Sequence, residues 1–495
     1  MYQKIKQSIF LYTAIVIVIF SACSKKWDNH NAITDSAVAN NLFQVISKTP
    51  NLTKFTNLLV KSGFDKVLAN SKTYTVWAPN DQALQSLDPS IINDTAQLKL
   101  FVANHICNQS YSVSFNAADK RVLMMNGKYL LMSGNHFDSA SYVSINQYAG
   151  NGLFHVIDKY IPRYNNCWEL IKTTTAAASM QAYLLSLNKN QFDPTLAKQT
   201  GVDPNSGLPV YDSSTGMVLH NIFLDSVVNV NDETNQYTVI LLNDAAYSNE
   251  LNKLTPWFKT STTDSTNNLS AFWLVKDLAF KGSYSASQLP DTLISQYGVK
   301  VPINKSSIVA SYKTSNGWVH VMSQVNFKLT DKFPSIIIQG ENPSFFTYGL
   351  DRTANTFYRV RYNPVTGKNF NDILMTNYGV ANYYIGYYLR NLNSMRYNAY
   401  WVAVNDIQST PLWQQRLANG YSYKDATSGN TVTTFTTTLP AVSIAYQNYN
   451  EVALGQFTFS NYGNQTFYVL GPTVSSTSGN VDAITLDYIR LEPAF

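Results

Sequence analysis

Few residues in this chain of 495 have the spacing that a catalytic or metal-binding motif requires. The six histidines are scattered, and no cysteine and histidine cluster matches the spacing of a zinc site. A phosphate-binding loop, His-Glu-x-x-His, Gly-x-Ser-x-Gly and a dinucleotide fingerprint are all missing from the sequence. A glycosidase needs only two carboxylates that folding brings together, so a hydrolase ranks as a third hypothesis. The prediction is a protein that is not an enzyme and has no catalytic residues.

The residue with the clearest chemical role is Cys23. Lys4 and Lys6 precede the apolar run 9–20, which ends in Ser21-Ala22 directly before this cysteine. A transmembrane helix takes about 20 apolar residues, so the shorter run favours a secretion signal. The ending resembles the lipobox of bacterial lipoproteins, which implies removal of residues 1–22 and acylation of Cys23. An ordinary signal peptide with an incidental cysteine is the alternative.

Acylation would make the membrane a partner of the chain through its lipid anchor. Several acyl chains hold a protein firmly, since each buried CH₂ contributes about 0.8 kcal/mol. Residues 23–34 are polar and resemble the short tether of surface lipoproteins. We therefore expect a lipid-anchored protein of the outer membrane that faces the cell surface.

Composition predicts more than one folded core and excludes several partners. The chain is 45% hydrophobic and only 14% charged, which is not the composition of a disordered protein. Its net charge of +5 is small for this length and argues against nucleic acid as a partner. Besides Cys23 there are only Cys107 and Cys167, which could form a disulfide or remain two buried thiols.

Two short motifs recur in the same order along the first two thirds of the chain. Thr75-Val76-Trp77-Ala78-Pro79-Asn80-Asp81 returns in altered form as Thr238-Val239-Ile240-Leu241-Leu242-Asn243-Asp244, an offset of 163 residues. Asn151-Gly152-Leu153-Phe154-His155-Val156 returns as Asn316-Gly317-Trp318-Val319-His320-Val321, an offset of 165 residues. The near-equal offsets predict tandem homologous domains.

Each motif also predicts a local structure. Tyr74–Trp77 is β-branched and aromatic as a strand should be, and Pro79 ends the strand. Asn80 or Asp81 can cap a following helix. In the second motif Asn-Gly forms a tight turn before another strand. The repeated unit is therefore mixed α and β.

These motifs resemble those of the fasciclin (FAS1) domain, and Leu98–Ile106 resembles that family's central Leu-x-x-Tyr-His segment with Asn104 in the Tyr position. The resemblance implies two α+β domains, at residues 35–163 and 164–332, with a role in adhesion or matrix binding. The second copy is divergent, because it lacks Ala-Pro, has Met322-Ser323 in place of Ile-Asp and carries a polar insertion at 203–214. The motif residues have a structural or a contact role: Asn80, Asp81, His105, His155 and Asp158.

The last third, residues 333–495, has a different texture. Short aromatic or β-branched runs alternate with turn residues, which predicts a β-sandwich. The final stretch Ile484–Pro493 resembles the closing strand of galactose-binding-like jelly rolls, the fold of many carbohydrate-binding modules. That resemblance implies one structural calcium ion between Glu341 and Asp487, and no other cofactor is expected. Calcium prefers clustered oxygen ligands.

Aromatic side chains of the last third are the candidates for ligand contact, because exposed rings stack on sugars. Since alternate strand residues face opposite sides, either Tyr383 and Tyr387 or Tyr384 and Tyr388 point outward together. Rings expected in surface loops are those of Tyr397, Trp413, Tyr421 and Tyr423.

These features lead to two hypotheses about function. The first is glycan capture by a non-catalytic lipoprotein that serves an outer-membrane carbohydrate uptake system. The second is cell adhesion or protein binding through the fasciclin-like pair. A row of solvent-facing aromatics on the sandwich would favour glycan capture, and a large apolar patch on the fasciclin-like units would favour adhesion.

Overall fold

The computed structural model describes residues 38–347, 353–407 and 413–495. The predicted signal sequence, the tether and Cys23 lie outside the described residues. The described chain forms two compact units. The first consists of the residues up to Leu170 with Val230–Gln236 and Lys313–Gly317, and the second of Ile171–Asn229, Tyr237–Tyr312 and Trp318–Phe495. No helix in these described ranges is long and apolar enough to cross a membrane.

The first region of the chain, up to residue 163, is mixed α and β. Its helices are α1 (Leu42–Lys48), α2 (Thr53–Ser62), α3 (Phe64–Leu68), α4 (Pro89–Asn93) and α5 (Thr95–Ala103). Its strands are β1 (Tyr74–Pro79), β2 (Ile106–Cys107), β3 (Lys120–Leu123), β4 (Tyr129–Met132), β5 (His136–Phe137), β6 (Ala140–Ala149) and β7 (Gly152–Ile157). They form one sheet in the order β2-β1-β7-β6-β5-β4-β3.

Local sequence accounts for where these helices begin and end. Asn41 and Gln44 form a capping box at the start of α1. Asp94 accepts hydrogen bonds from the first turn of α5. The helix α2 ends at Gly63, whose φ of 82° is the left-handed conformation that a glycine adopts without strain.

The two recurring motifs of the first region lie side by side. The strand β1 pairs with β7 in parallel, so Trp77 lies opposite His155 in the register. Every residue of β1 is buried. A central strand covered on both faces is expected to be continuously apolar, which matches the sequence of β1.

The second region, residues 164–332, repeats this mixed composition. Its helices are α6 (Cys167–Thr173), α7 (Ala178–Ser186), α8 (Ile222–Ser226), α9 (Asp244–Leu254), α10 (Thr263–Val275) and α11 (Leu329–Lys332). Its strands are β8 (Asn188–Phe192), β9 (Gln199–Val202), β10 (Pro209–Tyr211), β11 (Met217–Asn221), β12 (Tyr237–Leu242), β13 (Ala279–Lys281), β14 (Thr292–Ile294), β15 (Lys300–Pro302), β16 (Ile308–Thr314) and β17 (Gly317–Met322). The main sheet has the order β13-β12-β17-β16.

The insertion of the second region is an exposed ribbon. Residues 188–221 form two small antiparallel ladders, β11 with β8 and β10 with β9. Although the sequence predicted a polar insertion, the ribbon exposes large apolar side chains, namely Phe192, Leu196, Val202, Leu208, Val210, Met217 and Leu219. Aspartates close its turns, as Asp203 does by accepting from the backbone N–H groups of Asn205 and Ser206.

The third region is built from strands. They are β18 (Ile336–Gln339), β19 (Phe345–Phe346), β20 (Thr356–Asn363), β21 (Lys368–Met375), β22 (Tyr384–Leu392), β23 (Arg396–Val402), β24 (Gln414–Lys424), β25 (Thr431–Thr438), β26 (Val442–Ser443), β27 (Val452–Thr458), β28 (Gly463–Leu470), β29 (Ile484–Leu486) and β30 (Tyr488–Ala494). They form sheets in the orders β18-β30-β23-β27, β19-β22-β28-β24-β25 with β26 on β24, and β20-β21-β29.

Aromatic side chains join the sheets of the third region. The ring of Phe457 on β27 lies 5.3 Å from that of Phe467 on β28, edge to face. The hydroxyl of Tyr387 on β22 donates to the carbonyl of Gly340 beyond β18, at 2.8 Å. These contacts and the elements above confirm the predicted fold class, a mixed α+β N-terminal part followed by a predominantly β part.

The third region is also fastened to the second, within the same compact unit. The backbone N–H of Ser394 donates to the carbonyl of Trp257 at 3.1 Å, and its hydroxyl accepts from the N–H of Lys259 at 2.8 Å. Beside these bonds, the indole of Trp257 contacts the ring of Phe495, with centroids 5.7 Å apart. The sandwich is therefore held by both polar and apolar contacts.

One buried ion pair distinguishes the second region from the first. The strand registers make Asp277 the counterpart of Asn104, because Thr75 lies opposite Cys107 and the equivalent Thr238 lies opposite Phe280. The Asp277 carboxylate lies 2.6 Å from the Lys332 ammonium, and both side chains are fully buried. Ser295 donates a further hydrogen bond to Asp277 at 2.8 Å. A buried charge needs such partners, because desolvation would otherwise be prohibitive.

We expect Lys332→Met to destabilise the protein by about 3 to 5 kcal/mol, because Asp277 would remain buried without its counter-charge. Chemical denaturation measures this loss. The control is Arg163→Met, which removes a half-exposed partner of Glu169 while Lys128 still pairs with that carboxylate, and it should cost less than about 1 kcal/mol. Equal losses for the two variants would contradict the buried-pair interpretation.

Candidate functional site

The strand-to-helix corner of the first region is held by its own side chains. The Asn80 side chain accepts from the N–H of Ala83 at 2.7 Å, and the Asp81 carboxylate accepts from the N–H of Lys54 at 2.7 Å. Both residues named by the sequence therefore tie backbone segments together. The sequence prediction of a cap holds for Asn80, while Asp81 reaches back to α2.

The corner of the second region makes the same bonds. The Asn243 side chain accepts from the N–H of Ala246 at 2.9 Å, and the Asp244 carboxylate accepts from the N–H of Ser179 at 2.8 Å. Although Ala-Pro has been lost there, the polar pair that shapes the corner remains. The two motifs therefore repeat in structure as well as in sequence.

His155 joins three segments of the first region. Its Nδ1 accepts from the N–H of Asn146 at 3.1 Å, which leaves the ring proton on Nε2, where it is donated to the carbonyl of Tyr111 at 2.9 Å. Burial lowers the pKa of His155 to about 4. The side chain is fully buried and neutral at physiological pH.

The equivalent His320 makes an analogous set of contacts. Its Nε2 lies 2.9 Å from the carbonyl of Tyr284, and its Nδ1 lies 2.8 Å from the hydroxyl of Ser311. Asn146 precedes His155 by nine residues, and Ser311 precedes His320 by the same interval. Burial lowers the pKa of His320 as well.

His105 bridges the end of α5 and the segment after β7. Its Nδ1 donates to the carbonyl of Phe101 at 2.9 Å, and its Nε2 accepts from the N–H of Ile161 at 3.0 Å. Burial lowers the pKa of His105 to about 4. With both nitrogens engaged by the backbone and no exposed surface, this ring lacks access to a ligand.

Asp158 and Asn151, the first residue of the second motif, also bind backbone groups through their side chains. Asp158 accepts from the N–H of Ser141 at 2.8 Å. The Asn151 side chain binds three backbone groups, those of Leu42, Leu68 and Asn70. Asn316 likewise binds three, those of Cys167, Val230 and Asp232. The fasciclin-motif residues thus act as structural hydrogen-bonding groups.

Neither remaining cysteine is paired in the described chain. Cys107 and Cys167 are both free and buried. Burial raises the pKa of Cys167 to about 12 and that of Cys107 above its usual value, so neither is a reactive thiolate at neutral pH.

The exposed aromatic surface of the third region lies on the outer face of the β22 sheet. Tyr383 and Tyr387 are buried in the core, whereas Tyr388 is 64% exposed and Tyr384 is half-buried on the opposite face. The structure therefore selects the Tyr384 and Tyr388 pair from the two alternatives that alternation allowed.

Five rings form what is called here the aromatic platform. They are Phe345, Tyr384, Tyr388, Phe435 and Tyr468, with neighbouring centroids 5.2 to 6.3 Å apart. Tyr388 and Phe435 are exposed, Phe345 and Tyr384 are half-buried, and Tyr468 is fully buried beneath them. Gly386 makes room for it, because a Cβ atom there would lie 2.2 Å from the Phe345 ring. The backbone of β22 and the platform are thus in direct contact.

An open cleft of about 740 Å³ adjoins the platform at Tyr384. Its described lining residues are Thr347, Val380, Ala381, Asn382, Tyr384, Lys424, Gly429, Asn430, Thr431 and Thr433. Several are held in place: Tyr384 shares a hydrogen bond with the hydroxyl of Thr433 at 2.9 Å, and Arg416 donates to the Asn382 side chain at 2.6 Å. Hydroxyl and amide groups beside a ring are the groups that bind a polar ligand with an apolar face.

The rings expected in surface loops divide into two pairs. Tyr421 and Tyr423 are exposed, but they lie on β24 and not in a loop, with ring centroids 6.2 Å apart. Alternation places them on the opposite face from Ser422, whose hydroxyl contacts Tyr468 of the platform at 3.0 Å. This pair therefore faces away from the platform.

The prediction that Tyr397 and Trp413 are surface rings is wrong. Tyr397 lies inside β23, is 1% exposed and contacts the ring of Phe459 at 6.1 Å. Trp413 directly precedes β24 and is 2% exposed. Nearby turn residues suggested loops, but β23 continues through Tyr397, and Trp413 is buried just before β24 begins.

Glu341 and Asp487 lie close enough to influence each other electrostatically, although they are far apart in sequence. The pKa of Asp487 is raised to about 7 by burial, then by the carboxylates of Asp372 and Glu341. Glu341 Oε2 is buried without a hydrogen-bond partner. A cation between the two carboxylates would relieve both conditions, so this donor pair fits calcium.

The other residues around Glu341 and Asp487 offer few further ligands for a metal ion. Asp372 is already bound by Arg359 and Arg361, at 2.6 and 3.0 Å. Across the described ranges, no group of three or more His, Cys, Asp or Glu residues is arranged to hold a metal ion. Gly340 brings the chain to this point, since a Cβ atom there would lie 2.2 Å from the carbonyl oxygen of Leu486.

Comparison with known proteins finds a similarity in one segment of the chain. Residues 50–162 match the family model described as Fasciclin domain. No curated protein matches the chain.

Solved structures resemble separate parts of it. A FAS1 domain pair from the insect cell adhesion molecule Fasciclin I is 13% identical, with a TM-score of 0.23, covering 57% of this chain and 99% of the other. A family 35 carbohydrate binding module from Clostridium thermocellum is 13% identical, with a TM-score of 0.20, covering 33% and 100%. The CBM36-1 domain of a multidomain xylanase from the hindgut metagenome of Trinervitermes trinervoides is 15% identical, with a TM-score of 0.19, covering 32% and 98%.

The buried histidines predict how stability depends on pH. His105 and His155 are neutral when folded, with pKa values of about 4, while the unfolded chain binds their protons near pH 6.5. Their stabilising effect is therefore complete above pH 6.5 and is lost as the pH falls from 6.5 to about 4, by at most about 3 kcal/mol each.

We expect His155→Gln to make the unfolding free energy less dependent on pH over this window, because glutamine keeps a donor and an acceptor but does not titrate. Denaturant unfolding at a series of pH values measures the slope. His136→Gln, at an exposed position on β5, is the control. An unchanged slope in His155→Gln would contradict the assignment.

Proposed function

We propose that this protein is a membrane-anchored lipoprotein, acylated on Cys23, that captures glycan on its C-terminal sandwich without catalysing a reaction. It would serve as an accessory to an outer-membrane carbohydrate uptake system and face the cell surface. The sequence around Cys23 supports the anchor. The observation that carries glycan capture is the aromatic platform, with Tyr388 and Phe435 exposed, beside a polar cleft.

The chemistry of this surface suits a sugar. The platform offers ring faces, on which the apolar face of a hexose stacks. Asn382, Asn430 and Thr431 line the adjoining cleft and can bind hydroxyl groups. No described lining residue is Asp or Glu, whereas a glycosidase requires two carboxylates at its cleft. Binding without cleavage is therefore the better match.

Adhesion through the fasciclin-like regions is the second candidate. The match of residues 50–162 to the fasciclin family favours it. So does the ribbon at 188–221, whose exposed apolar side chains are typical of a protein-binding surface. In this alternative the sandwich would be a spacer or a second contact.

Glu341 and Asp487 would hold the proposed structural calcium ion. The ion would neutralise two mutually repelling carboxylates where β18 ends and β30 begins. Its contribution would be to stability, with no part in a reaction.

Glycan binding is tested with the full chain against plant, host and microbial polysaccharides. We expect Tyr388→Ala to raise the dissociation constant at least about fivefold, because an exposed stacking ring contributes on the order of 1 kcal/mol or more. Isothermal titration calorimetry measures the affinity.

The matched control is the double variant Tyr421→Ala and Tyr423→Ala, which removes exposed rings on the other face of the sheet and should leave the affinity unchanged. If the folded chain binds no glycan, capture is excluded. If it instead binds cell-surface protein and Leu219→Ser in the ribbon weakens that binding, adhesion is the function.

If Asp487 binds calcium, Asp487→Asn should change the melting temperature in opposite directions in buffer with chelator and in buffer with calcium. Folding disfavours ionised Asp487 between pH 3.8 and about 7, so its contribution to stability falls as the pH rises through that window. In chelator at pH 7.5, we expect Asp487→Asn to melt at or above the wild-type temperature.

In buffer with calcium the wild-type chain should melt at a higher temperature than Asp487→Asn, because only the wild-type chain binds the ion and is stabilised by it. Differential scanning calorimetry with and without calcium measures both melting temperatures. Glu492→Gln on the same strand is the control and should keep the wild-type calcium response. A wild-type chain that calcium does not stabilise would remove this part of the proposal.

A further inference from the structure

Asp277 and Lys332 carry the two groups from which an amide bond is made. The Lys332 nitrogen lies 2.6 Å from Oδ2 of Asp277, and both side chains are fully buried. A nitrogen that close to a carboxyl oxygen is roughly 3 to 3.5 Å from the carboxyl carbon, the separation of a near-attack arrangement. The fold therefore keeps an amine and a carboxyl group in position to react with each other, away from solvent.

The surroundings of Lys332 favour its uncharged amine. The Nζ atom lies 4.4 Å from the centre of the Phe327 ring, so one side of the group is apolar. Burial lowers the pKa of Lys332, although the charges of Asp277 and Glu250 act in the opposite direction. The uncharged amine is the nucleophilic form, and lysines in proteins become nucleophilic through desolvation of this kind.

Ser295 orients the carboxyl group of Asp277. Its hydroxyl donates to Oδ1 of Asp277 at 2.8 Å. The same hydroxyl oxygen accepts from the backbone N–H groups of Tyr297 and Val299, both at 3.2 Å, so its proton is directed at Asp277. A donor at Oδ1 stabilises the negative charge that develops on this oxygen when a nucleophile attacks the carboxyl carbon.

We propose that Lys332 and Asp277 form an intramolecular isopeptide bond, an amide between the two side chains, with the release of one water molecule. One proton passes from Nζ to Oδ2 across the existing contact, and the freed electron pair on Nζ attacks Cγ of Asp277. The bond between Cγ and Oδ2 then breaks, and Oδ2 leaves as water with a second proton from Nζ. The step needs no oxidant, reductant or further reactant.

The amide would remove both charges from the core. A buried ion pair bears a large desolvation cost, which is smaller for a neutral amide. The oxygen that remains, Oδ1 of Asp277, keeps its hydrogen bond from Ser295. Condensation is therefore compatible with the contacts that already surround the pair.

The position of the bond indicates what it would do. Asp277 lies two residues beyond α10, and Lys332 is the last residue of α11, immediately before the sandwich. The bond would close a loop that contains β13 to β17, so a pull on the sandwich would reach the end of α10 without detaching β17 from its sheet. A cross-link also stabilises a fold by restricting the unfolded chain. This role is separate from glycan capture and does not depend on it.

The mass of the purified full chain tests the bond. We expect the wild-type chain to be lighter than its sequence by one water molecule. Lys332→Arg should show no such loss, because a guanidinium keeps the positive charge beside Asp277 but stays protonated and does not condense. Processing at Cys23 would change both chains equally, so the difference between the two masses gives the result.

Peptide mapping locates the bond. In most molecules of the wild-type chain, trypsin should release Asp277–Lys281 attached to a second peptide that is not cleaved at Lys332. Lys276→Arg is the matched control, because Lys276 is also buried and is adjacent to Asp277 in sequence. This variant should keep the branched peptide, whereas Lys332→Arg should lose it.

Two results would overturn the proposal. One is a wild-type chain with the full mass of its sequence, which would leave Asp277 and Lys332 as an ion pair only. The other is a loss of water in which Asp277–Lys281 is released unbranched, since cyclisation of an aspartate with its own backbone also removes water. Both results are measured on the wild-type chain, so they stand even where a substituted chain fails to fold.

Discussion

The first two regions depend on polar side chains that are buried or half-buried and hydrogen-bonded to the backbone. His155 and Asn151 bind backbone groups from segments distant in sequence, which holds those segments beside β1 and β7, and Asn80 binds the backbone of its own strand-to-helix corner. An unpaired buried polar group costs on the order of 1 to 3 kcal/mol, so each partner constrains the others. The second region keeps this arrangement at Asn243, Asn316 and His320 although most of its sequence has diverged. The hydrogen-bonding geometry is therefore the shared feature of the two copies, more than any apolar residue.

The same constraint explains where the copies differ. Asn104 is neutral in the core, and its side chain donates to the carbonyls of Ile161 and Pro162 and accepts from Asn126. Asp277, at the corresponding position, is a carboxylate and requires a cation, which Lys332 supplies from beyond β17. A neutral bridge has thus been replaced by a buried ion pair, and the replacement needs two compatible substitutions. Neither Asn104 nor Asp277 is exposed to solvent, so both residues stabilise the fold and neither can contact a ligand.

In the third region, strand alternation separates the core from the outer face. Tyr383, Tyr387 and Tyr397 fill the core, whereas Tyr384 and Tyr388 on the outer face join the platform beside the cleft. The platform and the Glu341 and Asp487 pair use different residues, so glycan capture and calcium binding can be tested by substitutions that do not overlap.

The sequence by itself determined the repeated motifs, the mixed α and β character of the first two thirds and the strand-rich final third, because these follow from local periodicity and turn residues. It also predicted structural roles for Asn80, His105 and His155, and a resemblance led to the proposal of a calcium site at Glu341 and Asp487. It could not decide which of two tyrosine pairs faces outward, since alternation defines two faces but not which one meets another sheet. Long-range packing decided which pair faces outward and buried Tyr397 and Trp413, because burial depends on what packs against a strand and not on the strand's own sequence. The tertiary fold also brought Asp277 next to Lys332.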